Sequence, residues 1–189
     1  MLQPVLAQAR RLLEIGSGTG QHAVHCAAGL PHLQWQTSDL QVNHAGIQAW
    51  LDEAKLANVL APITLDMAAP HWPQAPFDAV FSANTCHIMA WPQVQSMVRG
   101  AAALLPAGGR LCIYGPFNEH GRATSAGNAE FDAALRAATP QRGLRDLEAM
   151  VALAREQGLV LEADHPMPAN NRLLVWRRNA PRESAGSRV

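Results

Sequence analysis

The sequence has few cysteines and no long run of apolar residues. Its three cysteines, Cys26, Cys86 and Cys112, lie far apart, and none belongs to a Cys-x-x-Cys pair. That pattern predicts neither a zinc site nor a disulfide framework and indicates a reducing compartment. No apolar stretch approaches the roughly 20 residues of a membrane-spanning helix, and the first ten residues contain no signal-peptide core. We therefore expect a cytoplasmic protein with no membrane partner.

An excess of charge of either sign is missing too. Fifteen basic and 15 acidic residues cancel, so the chain has no basic field for nucleic acid, and we predict no nucleic-acid partner. Every basic residue except Lys55 is arginine, which fits either carboxylate recognition or the base composition of the genome. A chain of 189 residues suits one domain, which we expect at 1–178, followed by a disordered polar tail at 179–189.

Short apolar runs alternate with longer amphipathic stretches. This alternation is typical of a parallel sheet covered by helices, a Rossmann-like, doubly wound α/β fold in three layers that binds ligands at the carboxyl ends of its strands. The last two strands are expected to form an antiparallel pair. The predicted strands are 11–15, 33–38, 63–66, 77–82, 109–115, 159–163 and 172–176. The predicted helices are 20–29, 43–57, 94–105 and 144–157, with a short helix at 131–136 inside a long connection, 116–143.

A glycine-rich turn follows the first predicted strand. Gly16, Gly18 and Gly20 are spaced as Gly-x-Gly-x-Gly, with Glu14 two residues ahead of them. A dinucleotide fingerprint requires Gly-x-Gly-x-x-Gly, but Gln21 stands at its third glycine position. An acid ahead of the loop suits a ligand with an ammonium group better than one with a pyrophosphate, which it would repel.

Two more acids end predicted strands behind this loop. Asp39 follows the second strand, where a carboxylate can accept ribose hydroxyls, and Asp66 with Met67 ends the third, where it could meet an adenine edge. Each alone could be a solvated acid at a strand end. Together with the loop, the acids favour a bound ligand.

Several motifs resemble those of class I S-adenosylmethionine-dependent methyltransferases. The stretch 13–20 resembles motif I of that family, and 77–80 and 104–111 resemble its fourth-strand and fifth-strand motifs. The stretches 18–24, 81–88, 113–118 and 168–171 resemble a functionally unassigned family of methyltransferase-like proteins. The resemblance, over about 11–177, implies strand order 3-2-1-4-5-7-6 with the last strand antiparallel, and S-adenosylmethionine as cofactor with S-adenosylhomocysteine as product.

The resemblance also sets the expected cofactor contacts. Members of the unassigned family carry a further N-terminal segment that can cover the cofactor, whereas about ten residues precede the first strand here. We expect the start to be truncated or misassigned and part of the site to be missing. The predicted cofactor-binding residues are Glu14, Gly16, Ser17, Gly18, Thr19, Gly20, Asp39, Leu40, Asp66, Met67, Ser82, Ala83 and Asn84.

Candidate catalytic residues follow the fourth and fifth strands. Asn84 and His87 follow the fourth strand, above whose end the donor methyl is expected, and Asn118 lies in the long connection. His87 is either a general base, since histidine titrates near neutrality, or a structural residue. The connection is either a substrate lid or a disordered connector, and Arg145 after it is expected to border the same pocket. His22 and His25 have no evident third ligand, so we predict no metal.

The leading hypothesis is a methyltransferase that acts on a small molecule. The Asn/Asp-Pro-Pro-aromatic run that nucleobase amino-methylating enzymes share does not occur after the fourth strand. One alternative is a non-catalytic module that binds S-adenosylmethionine or S-adenosylhomocysteine. Another is an NAD-dependent oxidoreductase, which the glycine spacing disfavours.

Overall fold

A nine-stranded sheet runs through the centre of the computed structural model, which describes residues 1–180. The strands are β1 Arg11–Glu14, β2 Gln34–Asp39, β3 Val59–Thr64, β4 Ala79–Ala83, β5 Arg110–Glu119, β6 Arg122–Ala123, β7 Arg145–Asp146, β8 Leu159–Met167 and β9 Asn171–Arg178. The helices are α1 Leu2–Val5, α2 Gln21–Ala28, α3 His44–Ala54, α4 Trp91–Leu104, α5 Ala126–Ala138 and α6 Leu147–Glu156.

The order of the sheet is β3-β2-β1-β4-β5-β9-β8. β1 to β5 are parallel, and β9 is antiparallel to both of its neighbours. Among the seven long strands this is the predicted order 3-2-1-4-5-7-6, so the Rossmann-like fold is confirmed. The two-residue strands β6 and β7 pair with the far end of β5 and were not predicted.

Two apolar cores cover the opposite faces of the sheet. Because neighbouring residues of a strand point to opposite faces, Leu12 packs in one core, which contains Ala23 of α2. Leu13 packs in the other, which contains Val98 of α4. The carboxyl ends of β1 to β4 therefore lie between two layers of helices, at the same edge of the sheet.

The third strand was placed wrongly from the sequence. It was predicted at 63–66 and lies at Val59–Thr64, because its start is fixed by contacts that its own sequence does not show. The Asn58 amide donates to three backbone carbonyls at the end of α2 and before β2, and the Asn58 carbonyl accepts the Trp35 N–H at 2.8 Å. β3 is an edge strand, which tolerates Pro62 in its interior.

The long connection is mostly regular structure, so the disordered-connector alternative is wrong. β5 continues to Glu119 and turns back into β6, and α5 occupies 13 residues where six were predicted. The Ser125 hydroxyl accepts the Asn128 N–H at 3.1 Å and caps α5.

The predicted tail at 179–189 falls almost entirely outside the described residues; Asn179 itself donates its N–H to the Gly158 carbonyl at 3.0 Å. Within residues 1–180, no helix has both the length and the apolar character that a bilayer crossing demands.

Candidate functional site

A cleft of about 680 Å³ opens at the carboxyl ends of the parallel strands. Its volume lies within the range of small-molecule sites. Five segments that are distant in sequence line it. They contribute Ile15–Thr19 with Gln21 and His22; Asp39, Leu40 and Asn43; Leu65–Met67; Ala83–Thr85, Ile88–Ala90 and Gln93; and Thr139, Gln141 and Arg142.

The glycine loop forms the floor of the cleft. The N–H groups of Gly16 and Ser17 both donate to the Ser38 carbonyl at 3.0 Å, which fixes the loop against the end of β2. A Cβ on Gly16 would lie 2.5 Å from the Thr85 Oγ1, so no larger residue fits there without displacing Thr85. Gly18 has a φ of +61° and open space where a Cβ would point. Its bare backbone is the part of the loop that a ligand can approach.

Glu14 lies beneath the loop and does not line the cleft. Its carboxyl group is 1 % exposed and accepts the Ser17 hydroxyl at 2.8 Å and the Trp35 indole N–H at 3.0 Å through Oε2. Burial raises the pKa of Glu14 to about 7, against the lowering effect of these two hydrogen bonds. The structure thus places Glu14 where it supports the loop.

Asp39 connects the loop to the next helix. Its Oδ2 accepts the Gly18 N–H at 2.7 Å, and its Oδ1 accepts the Leu40 N–H and the Asn43 amide, both at 2.7 Å. A carboxylate offers about four acceptor positions, so these three bonds leave about one unused, and Asp39 lines the cleft. The carboxylate that was predicted for a ribose is also the group that holds the loop in place.

The end of β3 gives the cleft an apolar wall. Leu65 and Met67 are buried, Leu40 is exposed, and all three line the cleft. Between them, one Asp66 oxygen accepts the Ala68 N–H at 2.8 Å. This wall suits a flat, apolar ring with a polar edge.

At the end of β4 the chain turns sharply at Asn84. This residue has a φ of +55°, donates its N–H to the Tyr114 carbonyl at 2.9 Å and lines the cleft with Ala83. Ser82, predicted to contact the cofactor, is buried, and its hydroxyl donates to the Ile15 carbonyl at 2.9 Å. The structure therefore places Ser82 behind the glycine loop.

Two of the three predicted catalytic residues do not line the cleft. His87 is buried with its ring edge against Phe131, and burial, aided by the nearby Arg145 charge, lowers its pKa to about 4. Asn118 lies in the part of β5 that continues past the sheet edge. It follows Tyr114 by four residues, so at roughly 3.3 Å per residue it lies about 13 Å farther along the strand. Both positions result from the same unpredicted extension, which carries α5 over the β4–α4 loop.

The fifth lining segment, between α5 and β7, belongs to the connection 116–143 that was a candidate substrate lid, but its lining residues Thr139, Gln141 and Arg142 were not predicted. It is held to the β4–α4 loop by the buried Arg145 guanidinium, which donates to the carbonyls of Cys86, Met89 and Gln141. The Gly143 N–H adds a bond to the His87 carbonyl at 2.9 Å. Arg145 itself does not line the cleft. Its partners are backbone atoms, which leave no pattern in the sequence.

Ten of the predicted cofactor-binding residues line the cleft, and Glu14, Gly20 and Ser82 support it from behind. The lining residues Gln21, His22 and Asn43 were not predicted. Their closeness in sequence to the predicted residues Gly20 and Leu40 could have indicated them. Within residues 1–180, no cluster of three His, Cys, Asp or Glu side chains has the arrangement of a metal site.

The comparisons with known proteins agree with this fold. A family model described as "Protein of unknown function (DUF938)" matches residues 1–178. An O-methyltransferase family protein from Burkholderia thailandensis superposes with a TM-score of 0.82 at 21 % identity, covering 93 % of this chain and 53 % of that one.

Two further solved structures give the same result. An O-methyltransferase family 2 protein from Planctomyces limnophilus, in complex with apigenin, has a TM-score of 0.80 at 20 % identity, covering 89 % and 51 % of the two chains. Human N-acetylserotonin methyltransferase, in complex with S-adenosylmethionine, has a TM-score of 0.75 at 14 % identity, covering 93 % and 49 %. This chain thus spans about half the length of these proteins and shares the methyltransferase fold with them.

Proposed function

The chain belongs to the DUF938 family, and we propose that it binds S-adenosylmethionine in the cleft and transfers the methyl group to a small molecule. The observation that supports this best is the junction of Gly18 and Asp39. An open glycine backbone and a carboxylate with a free acceptor position meet there at the carboxyl edge of a parallel sheet.

The residues of the cleft fit the parts of this cofactor. Asp39 would accept a ribose hydroxyl, and the apolar wall of Leu65 and Met67 would hold the adenine beside Asp66. Gly18 has no side chain to obstruct the amino acid portion. Because Glu14 and Ser17 fix the loop from below, the site is formed before any ligand arrives.

When bound, S-adenosylmethionine supplies a methyl group whose bond to sulfur breaks as the acceptor's nucleophilic atom bonds to the carbon, leaving S-adenosylhomocysteine, and a proton of the acceptor passes to a base or to water. The task of the chain is positioning, which can account for a large part of the rate of a two-reactant step. Asn84 and Thr85 border the cleft at the end of β4, and the bridge through Arg145 fixes this wall.

A non-catalytic binding module is the second candidate, and the position of His87 favours it. The predicted base is buried, with a lowered pKa, and faces Phe131 instead of the cleft. At neutral pH His87 is uncharged and could accept a proton, but only if the β4–α4 loop moves to expose it.

Isothermal titration with S-adenosylmethionine, S-adenosylhomocysteine and NAD tests the cofactor. We expect both adenosyl-sulfur ligands to bind and NAD not to bind. Gly18→Val should abolish binding, and Gly121→Val, a change at another glycine of positive φ that lies outside the cleft, should not. Binding of NAD alone would contradict the proposal.

A second experiment separates the enzyme from the binding module. The protein is incubated with methyl-labelled S-adenosylmethionine and a metabolite extract, and label in small molecules is counted against the Gly18→Val variant. Transfer that depends on the intact loop supports an enzyme, whereas binding without transfer in any extract supports the module.

A further inference from the structure

Among residues 1–180, Arg142 is the only arginine or lysine that lines the cleft. Of the two carboxylates of the cleft, Asp39 ends β2 and Asp66 follows β3, whereas Arg142 belongs to the segment that covers the loop after β4. The charges of the cleft are therefore divided between two sides, with the acids on the side that suits an adenosine and the cation on the other.

Arg142 is fixed through its backbone, and its guanidinium has no partner among residues 1–180. The Arg142 N–H donates to the Thr139 carbonyl at 2.9 Å, and the next residue, Gly143, is bonded to the His87 carbonyl. Among residues 1–180, no ion pair includes the Arg142 side chain. Arg142 is half-buried, and a ligand that binds its guanidinium displaces no partner within residues 1–180 and has only the side chain to order.

The Asp132 carboxylate, which binds the backbone two residues after Arg142, is already engaged by other groups. Asp132 pairs with Arg136 at 2.8 Å, and its other oxygen accepts the Leu144 N–H at 2.6 Å. Arg145, three residues after Arg142, adds a second positive charge, and its guanidinium hydrogen-bonds within the described part of the chain only to backbone carbonyls. Two arginines, Arg142 and Arg145, therefore lie near this end of the cleft, and their charges favour an anion.

The surface next to Arg142 is apolar. Ile88 is 47 % exposed although it is a large aliphatic residue, and it lines the cleft together with Met89 and Ala90. An exposed apolar group beside an unpaired cation suits a ligand with both an apolar part and an acidic group.

We propose that the methyl acceptor is a small organic acid whose anionic group pairs with Arg142 and whose apolar part lies against Ile88 and Met89. This inference rests on the proposed methyltransferase function and deepens it. The guanidinium fork matches a carboxylate with two parallel hydrogen bonds, which a lysine cannot do.

The test uses a metabolite extract that is separated by anion exchange at pH 7 before the reaction, so that the charge of the product does not affect the result. The retained and unretained fractions are incubated with the protein and methyl-labelled S-adenosylmethionine. We expect label only in the retained fraction. Arg142→Gln should lower the transfer rate at limiting acceptor by about tenfold to a hundredfold, the range for a charged hydrogen-bonded pair, and Arg142→Lys should restore part of it.

Two controls locate the effect. Arg155→Gln removes an exposed arginine of α6 that lies outside the cleft, and the transfer rate should stay unchanged. The affinity of Arg142→Gln for S-adenosylhomocysteine should also stay within twofold of the unsubstituted protein. A large loss of that affinity would mean that Arg142 holds the carboxylate of the cofactor and would overturn the inference.

The remaining outcomes are equally decisive. Label in the unretained fraction alone, or transfer that Arg142→Gln does not change, overturns the acidic acceptor while the methyltransferase proposal stands. Label in neither fraction, with S-adenosylhomocysteine still bound, contradicts the proposed catalysis, and the acidic acceptor is rejected with it.

Discussion

Replacing Glu14 with Gln should change how the stability of the protein depends on pH. Glu14 is 1 % exposed, and its pKa rises from 4.5 to about 7 because burial disfavours the charged form. The unfolded chain loses this proton near its ordinary pKa, so between pH 4.5 and 7 the folded state binds more protons than the unfolded state. The contribution of Glu14 to stability is therefore complete below pH 4.5 and is lost as the pH rises through 7.

The size of this loss follows from the pKa difference. Each pKa unit corresponds to about 1.4 kcal/mol, so Glu14 should lower the free energy of unfolding by about 3 kcal/mol between pH 4.5 and 7.5. Gln does not titrate and keeps an oxygen that can accept the Trp35 and Ser17 bonds. The stability of Glu14→Gln relative to the unsubstituted protein should therefore grow by about 3 kcal/mol over that interval.

His87 should act in the opposite direction. Its pKa is lowered from 6.5 to about 4, first by burial and then by Arg145, so the folded state binds fewer protons than the unfolded state between these values. Its contribution to stability is complete above pH 6.5 and is lost, by about 3 kcal/mol, as the pH falls to 4. Because the two effects oppose each other, the unsubstituted protein should show little net change from these groups between pH 4.5 and 6.5.

Urea unfolding followed by far-ultraviolet circular dichroism, at half-unit pH steps from 4 to 8, measures these slopes. The comparison needs the unsubstituted protein, Glu14→Gln and His87→Phe, a variant that keeps an aromatic ring against Phe131. Equal m-values would show that the unfolded states are comparable. If the stability difference between Glu14→Gln and the unsubstituted protein varies by less than about 1 kcal/mol between pH 4.5 and 7.5, burial does not raise the pKa of Glu14 to about 7.

Three further perturbations test the site. Asp39→Asn should raise the Kd for S-adenosylhomocysteine about tenfold, because a charged acceptor is lost, and an unchanged Kd by calorimetry would reject the assignment. Gly18→Ala and Gly121→Ala should each cost about 1 kcal/mol of stability, because each places a side chain on a left-handed backbone. Only Gly18→Ala should weaken ligand binding, and equal ligand affinities of the two variants would mean that the ligand binds elsewhere. Arg145→Met should lower the free energy of unfolding by about 2–4 kcal/mol, because it leaves buried carbonyls unpaired, and a loss below about 1 kcal/mol in urea would contradict the bridge.

The parts of the site that could be predicted are those that the topology itself creates. Parallel strands end at the same edge, so a glycine loop after β1 and acids after β2 and β3 were expected to meet, and the structure brings Gly18 and Asp39 into contact at 2.7 Å. Glu14 was harder to interpret, because the sequence shows that it ends β1 but not which face it points to. It points into the core beside Trp35 and acts on the cleft only through the loop.

The rest could not be predicted, because it depends on backbone atoms and on the length of one strand. β5 continues beyond the edge where β4 ends, since β7 pairs with Phe117 and Asn118 across 28 residues of chain. That pairing carries Asn118 away from the cleft and directs α5 back over the β4–α4 loop. There Arg145 binds carbonyl groups, which every residue type possesses. The same bridge buries His87 and brings Arg142 into the cleft, so the loss of the expected base and the gain of an unexpected cation have one structural cause.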